Sequence, residues 1–240
     1  MKRIASFETV RRRRRHQLVF LKYVLLVFVL FQAFTAFGFK SWRAASASME
    51  PNLEAGDLLM VLPSAYGLVN PFNERRLAFR EPVRGDVVLV RHPNATVGPW
   101  YLRFVDSALR FATLQRVGLG GGVETRPVVK RVIAVPGDSV MIRDHVAYVK
   151  AAGSAHFLTE YEVSGRSYDL RRAGLPEGWR PDLPLSGDTA VLTLGPGEYY
   201  VVGDNRPAST DSRFFGPVSA DDILGKAAFR YWPPGRISGL

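Results

Sequence analysis

The sequence predicts a mostly β protein: one N-terminal helix long enough to cross a membrane, then an all-β domain that carries a small β insertion. Three observations predict it. A 22-residue apolar run, Leu18 to Phe39, follows a basic tail. Beyond Lys40 the apolar residues come in short β-branched and aromatic runs closed by Gly and Pro. The 240 residues are 47% hydrophobic and 22% charged, ordinary globular material for one or two folded units.

Residues 1–17 form the tail. Lys2, Arg3 and Arg11 to Arg15 against Glu8 give it +6 of the chain's +10. A nucleic-acid binder spreads basic charge over a folded face. Charge packed directly before an apolar run reads instead as a membrane-orientation signal, so no nucleic-acid partner is expected. As a helix, 18–39 spans roughly 33 Å against a hydrocarbon core of about 30 Å. Lys22, near its start, can snorkel back to the headgroups. The positive-inside bias puts the N-terminus in the cytoplasm and residues 40–240 outside, on a single pass through the inner membrane, with the lipid bilayer as a partner. The rival is a cleaved signal peptide, given the small residues Ala44 to Ala47. A cleaved apolar region is typically only about 7–15 residues long.

The body of the chain reads as strands in order. Asp86 to Val90 follows the turn Arg84-Gly85. Val128 to Val135 ends at Pro136-Gly137. Ser139 to Arg143 and His145 to Val149 make a hairpin around Arg143-Asp144. Glu198 to Val202 ends at Gly203-Asp204-Asn205, and Ile223 to Trp232 at Pro233-Pro234. Leu68 to Arg80 is ambiguous, and so is Trp100 to Val117, whose apolar spacing is compatible with a short amphipathic helix. Two segments look inserted, 93–127 and 151–197. The first contains Gly118 to Gly122, a flexible loop rather than a phosphate cradle, since no helix pattern follows it. The second fits a small β subdomain or a long excursion.

Much chemistry is excluded. The chain has no cysteine, hence no thiol nucleophile, disulfide or cysteine-bound metal. There is no HExxH or GxSxG motif, and His16, His92, His145 and His156 are scattered. No metal and no cofactor is expected. What stands out is Ser46-Ala47-Ser48-Met49-Glu50-Pro51, a few residues past the apolar run. Three blocks accompany it: Arg84-Gly85-Asp86-Val87-Val88; Lys130 to Asp138, reading KRVIAVPGD; and Gly203 to Gly216, reading GDNRPASTDSRFFG. Each alone reads as linker, strand or turn; their joint occurrence carries the argument.

With these blocks in this order, the sequence resembles the type I signal peptidases, membrane-anchored Ser–Lys endopeptidases that cut signal peptides from exported proteins. The resemblance runs from about Ser46 to Pro234, plus the N-terminal anchor, and leaves out the insertions. It implies an all-β catalytic domain. It implies Ser48 as nucleophile, Lys130 as general base, Ser46 as a side-chain oxyanion donor and Ser209 as the partner that orients the lysine. It implies an Asp211–Arg213 ion pair supporting the site, with Asp204 and Arg206 in the same block. Met49, Leu53 and Val129 fall where the family lines its substrate pocket. The implied partners are signal peptides with small residues at −1 and −3. Two departures stand out: Asn52 replaces a hydroxyl residue, and Pro207-Ala208 replaces Asp-Asn.

The chemistry is plausible for these residues. A free lysine, pKa ≈ 10.4, is neutral in only about one molecule in 2,500 at pH 7. Burial lowers that pKa by up to ~3–5 units, and a fall to ~8 recovers about 3.3 kcal/mol. Val128, Val129, Val132 and Ile133 supply apolar surroundings for Lys130, while Arg131 should face the other way on a strand. Ser46 and Ser48 are two apart, so in an extended segment both face one carbonyl. Rival readings use the same residues: a specialised pilin-processing or conjugation-type peptidase, or a non-catalytic membrane-anchored binding protein on a decayed scaffold, favoured by Asn52, Pro207 and Ala208. A self-cleaving Ser–Lys repressor would need a DNA-binding region.

Overall fold

A computed structural model describes residues 7–69, 76–92, 101, 102, 105, 108, 109, 127–172 and 187–240. The chain divides into two compact units, residues 1–38 with 97–122, and residues 39–96 with 123–240.

The first unit holds helix α1, Phe7–Phe37. It begins within the basic tail and stops just short of Gly38, the expected C-terminal breaker. Side chains are described for residues 13–31 of it. Among the described residues no helix is long and apolar enough to cross a membrane. The end of the expected span, 32–37, lies outside the described side chains. So does most of the ambiguous stretch Trp100 to Val117, although Tyr101, Leu102, Val105, Ala108 and Leu109 are helical. The Gly118 to Gly122 loop lies wholly outside.

The second unit is mostly β. Its strands are β1 Lys40–Arg43, β2 Leu58–Leu62, β3 Gly67–Val69, β4 Arg76–Ala78, β5 Val87–Val90, β6 Val128–Ala134, β7 Ser139–Arg143, β8 Val146–Lys150, β9 Leu158–Thr159, β10 Thr189–Thr193, β11 Glu198–Val202, β12 Val218–Ser219, β13 Ile223–Trp232 and β14 Ser238–Gly239. Eight form one sheet in the order β1-β2-β13-β5-β6-β11-β12, with β14 on β13. The ten-residue β13 serves three partners, β5 along Ile223 to Lys226, β2 along Lys226 to Trp232 with register shifts at Ala227/Phe229 and Arg230/Trp232, and β14 at Phe229 and Arg230. Gly225 is needed there: a methyl group at that position would overlap the Leu62 backbone.

The ambiguous stretch 68–80 contributes a hairpin, β3 with β4. The inserted segment 151–197 joins a second sheet, β10-β7-β8-β9, and adds helix α2, Glu160–Ser164, behind a Thr159/Glu162 capping box. The β7–β8 turn falls one residue later than expected, on Asp144-His145. Both have positive φ, 45° and 65°, the backbone that a two-residue hairpin demands.

Strand β6 decides the site. It lies between β5 and β11, and three hydrophobic clusters each take a residue from it: Val129, Val132 and Ile133. Every residue from Val129 to Ala134 is buried. A side chain placed on this strand is therefore removed from water, whatever its polarity.

Candidate active site

Ser48 lies on a one-turn 3₁₀ helix, Ala47–Met49, entered from an extended Ser46. This differs from the fully extended segment expected. Met49 and Leu53 drop into the core, and the Leu53 amide bonds the Met49 carbonyl at 2.9 Å, which curls the chain. The two hydroxyls still meet: Ser46 Oγ donates to Ser48 Oγ at 3.1 Å. Asn205 fixes the turn from the far end of the sequence. Its backbone amide donates to the Ser48 carbonyl and its side-chain amide to the Ala47 carbonyl, both at 3.0 Å.

Lys130 is paired in register with Val88 of β5 and is 2% exposed. Its amine donates to Ser209 Oγ at 2.8 Å. Burial, the largest influence, pulls its pKa down to about 8; Asp211 and Asp204 oppose this and Arg213 assists it. Among the described residues no hydrogen bond joins Lys130 to Ser48 directly. Gly203 links them instead. A methyl group there would overlap both the Ser209 hydroxyl and the Ser48 carbonyl, so the two serines flank one spot that only glycine leaves open.

The block after β11 shapes the rest. Asp211 caps helix α3, Ser212–Phe215, and holds Arg213 in a fork at 2.8 and 2.9 Å. The Gly203 amide donates to the same carboxylate at 3.0 Å, and Arg213 reaches the Ser209 carbonyl at 3.2 Å. That arginine and these bonds hold the Asp211 carboxyl below its usual pKa against the opposing pull of burial. Asp204 and Arg206, two residues apart, pair elsewhere. Asp204 takes a bidentate bond from Arg131 at 2.8 and 2.7 Å. Arg206 pairs with Glu160 at 2.6 Å. Met49, Leu53 and Val129 come together, but as buried members of one cluster with Leu59, Val61 and Leu89.

The two departures have partners. Asn52 donates to Asp204 at 2.8 Å and exchanges two bonds with the Asp169 backbone. Pro207 is the second residue of a 3₁₀ turn, Arg206–Ala208, whose first turn tolerates its fixed φ and missing N–H. Beside the Ser48 turn, a cleft of about 500 Å³ is lined by Glu50, Pro51, Glu54, Leu170, Arg171 and Arg172. The ion pair Arg171–Glu50, 2.6 Å, crosses between its walls. Among the described residues no cluster of His, Asp or Glu could hold a metal ion.

Sequence reasoning missed Arg131, Asn205, Glu160 and Tyr168 as members of this network. Arg131 was expected to be a bystander on the opposite face; it is 5% exposed and ion-paired. Glu160 and Tyr168 sit in an insertion whose one local signal, a capping box, announces a helix start and not a buried carboxylate.

The family model described as "Signal peptidase, peptidase S26" matches residues 17–232. Signal peptidase I of Bacillus caldolyticus is 29% identical over 198 residues, which cover 82% of this chain and 81% of that protein. Signal peptidase I of Haemophilus influenzae is 27% identical over an alignment of 252 positions that covers 88% of this chain and 70% of that protein. The thylakoidal processing peptidase 1 of Arabidopsis thaliana is 26% identical over 194 residues, 80% of this chain and 42% of that protein.

Proposed function

Because the chain belongs to the signal peptidase family, peptidase S26, and is a peptidase that removes signal peptides, we propose that Ser48 is its nucleophile and Lys130 its general base. The supporting observation is the amine of Lys130, buried at 2% exposure, hydrogen-bonded to Ser209 and titrating at about 8. At neutral pH an appreciable fraction of such an amine is uncharged and able to accept a proton.

The steps follow from these groups. Neutral Lys130 takes the Ser48 proton as Oγ bonds the scissile carbonyl carbon. The resulting oxyanion is held by the Ser48 backbone N–H and by the Ser46 hydroxyl, which turns from Ser48 toward it. Lys130, now an ammonium, gives its proton to the leaving nitrogen as the C–N bond breaks. Neutral again, it takes a proton from water, whose oxygen attacks the Ser48 ester carbon; as the C–Oγ bond breaks, the ammonium returns that proton to Ser48 Oγ and the acid is freed. Ser209 keeps the amine oriented throughout. The Ser48–Lys130 hydrogen bond of this mechanism is one made with substrate bound, since catalytic hydrogen bonds commonly tighten when substrate excludes water. Met49, Leu53 and Val129 form the apolar floor that receives small side chains at −1 and −3.

The anchor belongs to the same reading. The apolar run 18–39 crosses the inner membrane with Arg11 to Arg15 on the cytoplasmic side, and residues 40–240 work outside. Purified full-length protein in detergent, given a preprotein with Ala at −1 and −3, tests the dyad. Ser48→Ala and Lys130→Met are each expected to lower kcat by roughly 10⁴- to 10⁶-fold. Cleavage by either variant at the native rate would remove the dyad.

A further inference from the structure

Two arginines stand beside the proposed dyad. Arg131 follows Lys130 on β6, and Arg206 lies between Gly203 and Ser209. They are 5% and 0% exposed. A guanidinium cannot escape burial by losing its proton, so it must be met by fixed acceptors. Arg131 finds Asp204 in another of the motif blocks. Arg206 donates to the Gly203 carbonyl at 3.0 Å and the His145 carbonyl at 2.5 Å, but the carboxylate that meets it is Glu160 of the inserted segment. Glu160, itself buried, also accepts from the Ala147 amide at 2.9 Å and the Tyr168 hydroxyl at 2.5 Å. The Tyr168 ring lies 3.8 Å from the Arg131 guanidinium carbon.

We propose that Glu160 and Tyr168 are positioning residues of the peptidase, which set Arg206 and Arg131 and through them the Gly203 turn, Ser209 and Lys130. This rests on the Ser48–Lys130 reading. The route is short. Arg206 holds the Gly203 carbonyl, and Gly203 separates the Ser48 carbonyl from the Ser209 hydroxyl. Arg213 ties the Arg206 and Ser209 carbonyls together at 2.7 and 3.2 Å. The insertion thus supplies a clasp whose other half is in the motif blocks.

The clasp also carries charge. Asp204 and Asp211 favour the Lys130 ammonium and Arg213 disfavours it. Arg131 is paired to Asp204, and the register partner of Lys130 on β5 is the uncharged Val88. Glu160→Gln leaves the Arg206 guanidinium, two residues from Asp204 and bonded to the Gly203 carbonyl, without its carboxylate, which makes the surroundings of Lys130 more positive. Protonating Lys130 then becomes harder, and the rising limb of kcat against pH moves to lower pH. A carboxylate that only fills space would leave the limb in place.

The test uses the full chain in detergent, cleaving a preprotein peptide with Ala at −1 and −3. Glu160→Gln is expected to lower kcat by about 10- to 100-fold with KM little changed, and to shift the limb toward acid. Glu160→Asp, which keeps the charge, returns the limb to its native pH. A folded Glu160→Gln protein with native kcat and native limb overturns the proposal. If that variant fails to fold, Tyr168→Phe decides: it keeps the ring on Arg131 and removes only the hydroxyl. Lowered kcat supports the clasp, and native kcat with a native limb overturns it. Ser48→Ala is run alongside; if it cleaves, the dyad reading fails, and the fault is not in the clasp.

Discussion

Lys130 titrates at about 8 in the folded protein against an ordinary 10.5. Between those two values the unfolded chain still binds a proton that the native state has released, so stability rises with pH across the window. Below about 8 both states are protonated and the native state carries the full cost, about 3 kcal/mol. Lys130→Met removes that cost and gives up one hydrogen bond worth about 1 kcal/mol. At pH 7 the variant is expected to be about 2 kcal/mol more stable than the native protein in urea unfolding, with the gap closing toward pH 10. An inactive variant that is also less stable at pH 7 would contradict this. Native activity should rise about tenfold per pH unit below 8 and level off above, since only the neutral amine accepts the serine proton. Gly203→Ala is expected to lower kcat by about 10²-fold. The added methyl displaces either Ser209 or the Ser48 backbone, and Asn205 and Arg213 hold both from the other side. Catalytic kinetics on the folded variant check it. At this scale the motif blocks pointed to two pairings that occur, Lys130 with Ser209 and Arg213 with Asp211. Ser46, Ser48, Lys130 and Ser209 were singled out by the resemblance of the motif blocks, and only the Ser46–Ser48 neighbourhood followed from spacing as well. The pairing of Asp204 with Arg131 was not legible, because 73 residues separate them and strand alternation turned Arg131 the other way.

At the scale of elements, strands with strong β-branched runs were legible to within a residue. Glu198–Val202 and Ile223–Trp232 occur as read. Strands β1 and β2 were not read. Lys40–Arg43 has no apolar alternation, and it becomes a strand because the neighbouring Leu58–Leu62 offers it an edge. Short strands of this kind owe their existence to a partner rather than to propensity. The turn at Arg206–Ala208 shows the opposite case, a local residue setting local structure. Pro207 presets φ there, so Pro207→Ala is expected to destabilise the fold by about 0.4–1 kcal/mol through the freed unfolded chain. Thermal melting should show the loss while cleavage persists. Loss of cleavage without loss of stability would mean that Pro207 does more than hold the turn.

At the scale of the whole molecule, the tail and the apolar run make a prediction about location. Full-length protein reconstituted with liposomes is expected to float with them and to resist extraction at high salt, as apolar insertion is not screened. Protein lacking residues 1–39 is expected to stay largely in the soluble fraction. Equal flotation of both would assign membrane binding to the β unit. The way the 151–197 insertion and the motif blocks share work was only partly legible, since an insertion is defined in sequence by lacking a motif, and lack of a motif carries no information about contacts. The buried head of Arg206 illustrates what that hides. It touches the segment after β11, the β7–β8 hairpin tip and α2, three stretches far apart along the chain. Parting any one of them strands a cation, which typically costs about 3–5 kcal/mol. These stretches therefore unzip together or not at all, and their amide hydrogens should trade with heavy water as a single slow cohort.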